Sequence, residues 1–572
     1  MIICSKSYTF KLYQQCICVW AIAVSGLAFA AEESTAVPGN IRSGQIEKQF
    51  EREKLPRADQ PKQPPQIPSI NVDTAHKGAE FTVNIIRVEG ATVVSAEELD
   101  SIKAQYVGKK CTLGDMQNVA QQVTILYRNK GYFLSQAIVP QQKFDNGTVT
   151  ISVIEGFVDN IELRGDGASG SGLATRILNH VKEEKPLNIV TLQRQILLLN
   201  DLEGVNAKAT LVPGKEQGSA SLIVEMTRRY FGGSLALDNR GSKALGPARA
   251  TLEVHQSGLF GGYENIQLDL VSTGANKEMN YGSLVYTQPL GSNGLNLEIK
   301  TSKVRSEPTI TENVNLDSLL TDSTSFGTTI KYPIHRLRNQ NLSIRGSIDA
   351  YNSNTDIPGF NLTQDRVRTA RVGVSLDQYD IFSGVNLLDI EYSHGIDGLG
   401  AKNLSEAAIP SSNANANNHF QKYTVYLARL QSIAEHWSML SAINGQYAVD
   451  NLFTSEQFGF GGALFGKAYD NSELIGDSGA AFKIELRYLS GGNQVLTSYE
   501  PYAFYDVGYT ENRTKEPSSE GRASAASTGL GVRFNLFKSW SGYIEAAKPL
   551  TRDTNNGQDR NPRGFAALTF NF

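Results

Sequence analysis

The sequence predicts a transmembrane antiparallel β-barrel that follows two small α/β units and an N-terminal polar helix. From about Tyr230 to Phe572, polar and apolar residues alternate in segment after segment. The first thirty residues have the pattern of an export leader. Beyond that leader no run of eighteen apolar residues occurs, so helical spans are not predicted, whereas barrel strands carry their apolar face in alternation.

Composition favours a β protein of several domains. The chain has 572 residues, which is too long for one hydrophobic core. It has 52 glycines, 23 tyrosines and 24 phenylalanines, while charged residues make up only 20%. Lys and Arg number 54 against 58 Asp and Glu, a net charge of −4, which argues against nucleic acid as a partner.

Residues 1–30 are predicted to be a cleaved signal peptide. Lys6 and Lys11 precede the short apolar run 17–27, and residues 28–30 (AFA) offer a small-x-small cleavage site. An uncleaved anchor is disfavoured because the run is too short to span a bilayer. The leader holds three of the four cysteines, so the mature chain would keep Cys111 alone and build neither a disulfide nor a thiolate metal site.

Residues 31–80 are predicted to hold one polar helix and a stiff proline-rich linker. Residues 43–54 are rich in Gln, Glu, Lys and Arg, with Ile46 and Phe50 four residues apart and Ser43 as an N-cap. The alternative is that this proline-rich stretch is disordered. The prolines of this stretch are Pro38, Pro56, Pro61, Pro64, Pro65 and Pro68.

Two small α/β units are predicted at 81–156 and 157–228, as a diverged tandem repeat. The first should contain a strand at 81–88, helices from Ala96 and over 116–127, and strands at 133–140 and 148–154, with the Asn146-Gly147 turn between the last two. The second should contain a strand at 158–163, two helices and two closing strands. Its helices are expected over 173–181 and 192–199, and its closing strands over 207–212 and 220–226.

Residues 229–572 are predicted to form the barrel. Segments such as 342–350 (LSIRGSIDA) and 482–488 (FKIELRY) place charged residues on one face and aliphatic residues on the other. At roughly ten residues a strand, plus turns and loops, this length suits between about fourteen and eighteen strands. The last segment puts Leu568, Phe570 and Phe572 on one face, and its terminal aromatic is similar to the sorting signal of Gram-negative outer-membrane barrels.

No motif indicates an enzyme, a cofactor or a metal site. Residues 165–170 (GDGASG) match GxGxxG, but a second helix and Pro186 follow instead of the second strand of a dinucleotide fold. Residues 461–467 nearly match a phosphate loop, but Ala468 stands where Ser or Thr must hold magnesium. The seven histidines show no metal-binding spacing, and no GxSxG elbow occurs.

Several motifs resemble those of the two-partner secretion transporters (TpsB proteins), the family of the haemolysin and filamentous-haemagglutinin exporters. The two α/β units look like POTRA domains. The resemblance extends over the whole chain, since signal peptide, polar helix, proline-rich linker, two POTRA units and barrel follow in the family's order. The motifs are 126–132 (LYRNKGY), 149–156 (VTISVIEG), 197–205 (LLLNDLEGV), 237–242 (LDNRGS) and 288–291 (QPLG).

The resemblance implies a barrel of sixteen strands in the Gram-negative outer membrane, plugged at rest by the N-terminal helix, with the POTRA domains in the periplasm. It implies that these domains capture a large unfolded partner exoprotein of adhesin or cytolysin class by strand addition, and that the barrel secretes it. Outer-membrane lipid and the barrel assembly machinery are the other implied partners. No nucleic acid or cofactor is implied.

The resemblance also implies a lock between the sixth extracellular loop and the barrel wall. The family's Val-Arg-Gly-Tyr/Phe tetrad aligns with 466–469 (GKAY), so Lys467 replaces the arginine and Tyr469 keeps the aromatic. The family's acidic partner matches Asp506. We expect Lys467 to pair with Asp506, although lysine lacks the forked donors of arginine. A solvated loop lysine is the alternative.

Two other functions would need a different set of parts. A barrel-assembly factor of the same superfamily would carry more POTRA units than the two that fit in 81–228. A passive solute porin would have neither POTRA units nor a tethered helix.

Overall fold

A computed structural model describes residues 41–56, 80–143, 145–168, 172–274, 278–309, 319–402, 408–513, 521–555 and 557–572. The predicted signal peptide and most of the proline-rich linker lie outside the described residues. No helix in the described part of the chain has both the length and the apolar character needed to cross a membrane.

The N-terminal segment, residues 41–56, is helical only in its first half. Helix α1 (Ser43–Ile46) continues as a 3-10 turn (Glu47–Phe50), and residues 51–56 are extended. The predicted helix over 43–54 is therefore too long, and the predicted cap is wrong, because the N-cap position is Arg42. An extended chain directs successive side chains to opposite sides, and the charged residues of 51–56 use this to reach different parts of the barrel wall.

The first α/β unit has a three-stranded sheet, in which the central strand 148–154 pairs in parallel with strand 85–89 and antiparallel with strand 136–138. The predicted strand 81–88 is split in two, and the strand predicted at 133–140 covers only three residues. A 3-10 turn at Asp145–Gly147 precedes the last strand. The elements are β1 (Phe81–Thr82), β2 (Ile85–Glu89), α2 (Ala96–Lys103), β3 (Lys110–Cys111), α3 (Leu113–Asn129), β4 (Gln136–Ile138) and β5 (Thr148–Ile154).

Side chains fix the helices of this unit. Ser95 and Thr112 each form a capping box, and Tyr127 on the inner face of α3 is fully buried. The Tyr127 hydroxyl donates to Glu155 Oε1 over 2.7 Å. Burial disfavours the Glu155 carboxylate, but hydrogen bonds from Thr92 and Tyr127 outweigh burial and lower the pKa of Glu155.

The second α/β unit repeats this plan: its central strand 219–228 pairs in parallel with strand 157–164 and antiparallel with strand 205–213. Gly165 adopts φ 94° where the backbone passes Met226, and a Cβ there would lie 2.3 Å from the Met226 carbonyl oxygen. Close packing explains this glycine of the GxGxxG match. The elements are β6 (Phe157–Arg164), α4 (Gly172–Glu183), α5 (Ile189–Asn200), β7 (Val205–Pro213) and β8 (Ser219–Arg228).

Sixteen antiparallel strands of the described chain close into a barrel, as the resemblance implied. Strands β20 (Phe458–Phe460) and β21 (Leu474–Gly476) lie outside this barrel and pair with each other within the connection 449–477. The barrel strands are β9 (Phe231–Asp238), β10 (Arg249–Ser257), β11 (Asn265–Ser272), β12 (Met279–Leu290), β13 (Leu295–Ser306), β14 (Leu320–Arg336), β15 (Gln340–Ile357), β16 (Phe360–Tyr379), β17 (Gly384–Gly395), β18 (Gln421–Ser432), β19 (Trp437–Ala448), β22 (Ser478–Tyr488) with its continuation β23 (Ser490–Gly491), β24 (Leu496–Glu511), β25 (Arg522–Leu536), β26 (Trp540–Pro549) and β27 (Arg563–Asn571).

The predicted alternation sets the two faces of the barrel wall. On β22, Lys483 and Glu485 point inward and are buried, while Leu486 points outward and is exposed. Ile348 on β15 and Leu530 on β25 are likewise exposed on the outside. The wall therefore has a polar lumen and an apolar outer surface, as a membrane barrel requires.

The second α/β unit docks onto the short turns at one end of the barrel. The Arg194 guanidinium donates to Pro333 O over 2.9 Å and to Ile334 O over 3.2 Å. Arg336 forms an ion pair with Asp201 at 2.6 Å. Because α5 carries both Arg194 and the residue before Asp201, this helix fixes the unit against the barrel mouth.

The barrel closes between its first and last strands. Strand β27 pairs with β9 from Ala567 opposite Asp238 to Asn571 opposite Ser234. Beyond that ladder, the amide of Phe572 donates to Gly233 O over 3.0 Å, and the Gly233 amide donates to Phe572 O over 3.1 Å. The ring of Phe572 lies 5.9 Å from that of Phe231. The terminal residue thus extends the closing ladder.

We expect deletion of Phe572 to lower the yield of closed barrel, because it removes two backbone hydrogen bonds of about 1 kcal/mol each and a ring contact. Unheated gel electrophoresis, in which a folded barrel keeps its compact mobility, measures this yield. Phe260→Ala is the control, because Phe260 is an exposed aromatic in the turn between β10 and β11. Equal yields for both variants would show that closure does not depend on the terminal residue.

Candidate functional site

The lumen is occupied by the connection between β19 and β22, residues 449–477, which we call the inner loop. It descends through a 3-10 turn (Thr454–Glu456), forms the β20–β21 hairpin, and carries the sequence-predicted site residues at its tip. Gly461, Gly462 and Gly466 adopt positive φ in this tip, and a Cβ on Gly466 would lie 2.7 Å from the Phe460 ring. Glycine is therefore needed at Gly466 both for the turn and for packing.

The Lys467 ammonium binds carboxylates on two barrel strands. It lies 2.8 Å from Glu485 Oε2 on β22 and 3.2 Å from Glu545 Oε2 on β26. It also lies 4.3 Å from the centre of the Phe504 ring. The Lys467 side chain is only 6% exposed, which rules out a solvated loop lysine.

Asp506 does contact Lys467, but through the backbone. Its Oδ2 accepts from the Lys467 amide over 3.0 Å and from the Ser527 hydroxyl over 3.2 Å. The expected ion pair between the Lys467 ammonium and Asp506 is therefore a wrong prediction. The physical reason is the length of the lysine side chain. Asp506 holds the Lys467 backbone amide, while the long side chain carries the ammonium away from Asp506 to Glu485 and Glu545.

Tyr469 fastens the other side of the tip. Its hydroxyl is 3.1 Å from both Ala526 O on β25 and Arg552 O beyond β26, so it can donate to either carbonyl. The ring is buried beside Phe460, with 6.2 Å between ring centres. The structure thus brings together Lys467, Tyr469 and Asp506 at one point where the inner loop meets the wall.

Sequence reasoning missed two arginines that hold the same tip. Arg240 donates to Lys467 O over 2.9 Å, forms an ion pair with Glu545 and lies over the Phe565 ring at 3.8 Å. Arg563 donates to Ala468 O over 2.9 Å and pairs with Asp470 at 2.7 Å. The LDNRGS motif contains Arg240, yet its sequence position gives no sign of a partner some 227 residues away.

A second cluster fixes the base of the inner loop. The Glu456 carboxylate lies 2.7 Å from Arg371 Nη2 on β16 and 2.7 Å from Lys422 Nζ on β18. The Glu456 carbonyl accepts from Lys422 Nζ and from Gln446 Nε2, each over 2.9 Å. Glu456 is 5% exposed, so both its charge and its backbone are tied to the wall away from water.

The N-terminal segment lies in the remaining space of the lumen. Ile46 is fully buried in an apolar patch of the wall that includes Met279 and Val304. The Phe50 ring stacks on Tyr281 at 4.4 Å. Glu47 accepts from the hydroxyls of Ser302 at 2.6 Å and Ser325 at 3.0 Å.

The extended half of the segment makes an ion pair at each of three successive residues. Arg52 pairs with Glu253 on β10 at 2.6 Å. Glu53 pairs with Lys483 on β22. Lys54 pairs with Asp389 on β17 at 2.8 Å. Because these strands lie far apart in the barrel order, the segment crosses the lumen.

This arrangement is an occluded channel. The inner loop and the N-terminal segment fill a lumen with polar walls, and together they tie strands from β10 to β27. Within the described ranges, no group of three His, Cys, Asp or Glu side chains could hold a metal ion.

Comparisons with known proteins agree with this architecture. The family model "Haemolysin secretion/activation protein ShlB/FhaC/HecB" matches residues 217–534, and the model "POTRA domain, ShlB-type" matches residues 81–156. The heme/hemopexin transporter protein HuxB of Haemophilus influenzae (strain 86-028NP) is 26% identical over 564 residues, covering 94% of this chain and 96% of HuxB. The outer membrane transporter CdiB of Dickeya dadantii (strain 3937) is 21% identical over 530 residues, covering 90% and 92%.

The fold is similar to that of a solved structure. CdiB from Escherichia coli superposes with a TM-score of 0.72 at 18% identity, with 100% of both chains covered. At this identity the superposition supports the fold.

We expect Lys467→Met to loosen the tip of the inner loop, because it leaves Glu485 and Glu545 short of one buried cation. Breaking a buried pair typically costs about 3–5 kcal/mol, and we expect the lower end because Arg240 and Arg533 remain beside these acids. The measurement is the rate at which added protease cuts within 461–473 while the barrel stays folded.

Lys467→Arg should keep the slow rate, because a guanidinium fork can reach both carboxylates. Lys548→Met is the control, since Lys548 is an exposed cation on the outer face of β26. Cleavage of Lys467→Met at the Lys548→Met rate would contradict the role of the ammonium.

Proposed function

This chain belongs to the haemolysin secretion/activation protein family ShlB/FhaC/HecB, and we propose the route by which a partner passes through it. The protein is an outer-membrane transporter that secretes a partner exoprotein through its barrel, with its POTRA units in the periplasm. The observation that supports the route is the polar lumen, which is closed by an N-terminal segment and by the inner loop, both held by side-chain contacts. Both closures are non-covalent, so a passing chain can displace them.

We infer that each part of the chain has a separate role. Residues 1–30 direct export and are removed, residues 31–80 carry the plug and its tether, residues 81–156 and 157–228 capture the partner, and residues 229–572 form the pore. The free edges of the two small sheets suit capture of an unfolded chain by strand addition. The partner is a large exoprotein of adhesin or cytolysin class.

No enzymatic step is needed in this route. No nucleotide or proton gradient acts across the outer membrane, so transport draws on the free energy of binding and of folding outside. A chain crossing the lumen needs weak contacts at many places, and an alternating polar wall supplies them. Folding of the partner outside then opposes its return.

The sequence-predicted site residues have two proposed roles. Lys467, Tyr469 and Asp506 form the loop-barrel lock that holds the inner loop at the wall. Leu568, Phe570 and Phe572 form the sorting signal that the barrel assembly machinery reads, and they face the outer-membrane lipid on the outside of β27.

Deleting residues 81–228 separates this function from its alternatives. A transporter should insert and conduct but lose all secretion of its partner into the medium. A solute porin would keep supporting growth on its solute after the same deletion. A barrel-assembly factor would show a general loss of other outer-membrane proteins, which a protein profile of the membrane detects.

The plug role gives a direct prediction for the pore. Deleting residues 31–55 should raise single-channel conductance in planar bilayers, because it empties the lumen beside the inner loop. Secretion should survive, because the plug must leave during transport. Unchanged conductance would place the closure elsewhere.

A point substitution should reproduce the deletion. Ile46→Asp places a charge in the apolar patch around Met279 and should raise conductance towards that of the deletion. Leu55→Asp is the matched control, because Leu55 is 42% exposed in the same segment. An equal rise in both variants would show that added charge, and not the docking of Ile46, opens the pore.

A further inference from the structure

The N-terminal segment 41–56, here called the plug, docks on the inner loop as well as on the barrel wall. The Gln45 side-chain amide donates to Thr454 O over 2.6 Å and to Gln457 O over 3.2 Å. The Lys48 ammonium donates to the same Gln457 carbonyl. In return, the Asn471 amide donates to Gln45 O over 3.3 Å. One side of the plug therefore binds the loop while Ile46 binds the wall.

The contact is close at the backbone level. A Cβ on Gly44 would lie 2.3 Å from the Cα of Ser455, which no real side chain allows without movement. Gln45 is fully buried. The plug thus fits against the turn Thr454–Glu456 so tightly that a small shift of this turn removes the fit.

Glu456 determines where that turn lies. The two carbonyls that receive the plug, those of Thr454 and Gln457, flank Glu456 in the chain. The carboxylate bridges Arg371 and Lys422 on two different strands, and the Glu456 carbonyl is held by Lys422 and Gln446. The acceptors of the plug are therefore positioned by an ion cluster that joins the turn to strands β16 and β18 of the wall.

We propose that Glu456 is a positioning residue for the closed pore and that it couples the inner loop to the plug. While Glu456 bridges Arg371 and Lys422, the turn presents its carbonyls to Gln45 and Lys48 and the plug stays in place. When the base of the inner loop moves, the plug loses these acceptors and leaves. This inference rests on the proposed role of residues 41–56 as a plug.

Glu456→Gln tests the coupling. A glutamine amide can accept from one cation, but its NH₂ group then faces donors of the other cation, so the turn must move. We expect single-channel conductance to rise by a large part of the increase that the 31–55 deletion gives. Glu456→Asp keeps the charge on a shorter side chain and should open the pore less.

Glu500→Gln is the matched control. Glu500 is also a lumen carboxylate with a 2.6 Å ion pair, made to Arg533 on the neighbouring strand β25. Unheated gel electrophoresis of each variant shows whether the barrel has folded. A rise in Glu500→Gln equal to that in Glu456→Gln would overturn the proposal, because any lost lumen ion pair would then suffice.

A labelling experiment follows the plug itself. With Cys111→Ser as background, Gln49→Cys places one thiol in the plug at a residue whose partners are Met279 and Arg249 on the wall. We expect a bulky thiol reagent to label this cysteine faster in Glu456→Gln than in Glu500→Gln. Equal labelling rates would mean that Glu456 supports the loop without holding the plug.

The double variant that combines Glu456→Gln with Gln45→Ala completes the test. If Glu456 acts through the acceptors of Gln45, the two changes together should open the pore little more than either alone. Full additivity would overturn the coupling. If deletion of residues 31–55 leaves conductance unchanged, the plug role fails. If that deletion raises conductance but Glu456→Gln does not, the plug role stands and only the coupling is overturned.

Discussion

The structure depends on the need to pair the charges that face the lumen. A strand that exposes aliphatic residues to lipid must direct its alternate residues inward, and in this chain many of these are charged. A sixteen-stranded barrel is too wide for these side chains to meet across the lumen. The inner loop and the plug supply the missing partners, with Lys467 and Glu456 for the loop and Arg52, Glu53 and Lys54 for the plug.

The same constraint explains how a firmly filled channel can also open. Pairing two charges in a polar site replaces hydration of similar free energy, so ion pairs contribute more to position than to stability. When a segment leaves the lumen, water can take its place at the wall. The plug is therefore held specifically by its contacts without being held irreversibly, as a closure that opens and shuts requires.

Anchoring differs between the two parts that fill the lumen. The tip of the inner loop is held by Lys467, Tyr469, Arg240 and Arg563, which together join it to strands β22, β25, β26 and β27 through backbone carbonyls as well as carboxylates. The plug is held by single ion pairs, one apolar patch and the hydrogen bonds of Gln45 and Lys48 to the inner loop, and the side chains of Arg52 and Lys54 are more than half exposed. Water competes well for such pairs, so the plug is the part that leaves at the lower cost in free energy.

The sequence by itself determined the order of the α/β units and the barrel, and the inward or outward direction of strand residues such as Lys483 and Leu486, because periodicity and alternation are local properties. Its leader pattern predicted export. The family resemblance, and not the residue pattern alone, indicated that Lys467, Tyr469 and Asp506 lie together. Only the tertiary structure decided that the Lys467 ammonium binds Glu485 and Glu545, that Arg240 shares this site, and that residues 51–56 are extended. Alternation states which side chains face the lumen but not which of them meet, since that depends on how a loop and a segment cross a wide barrel.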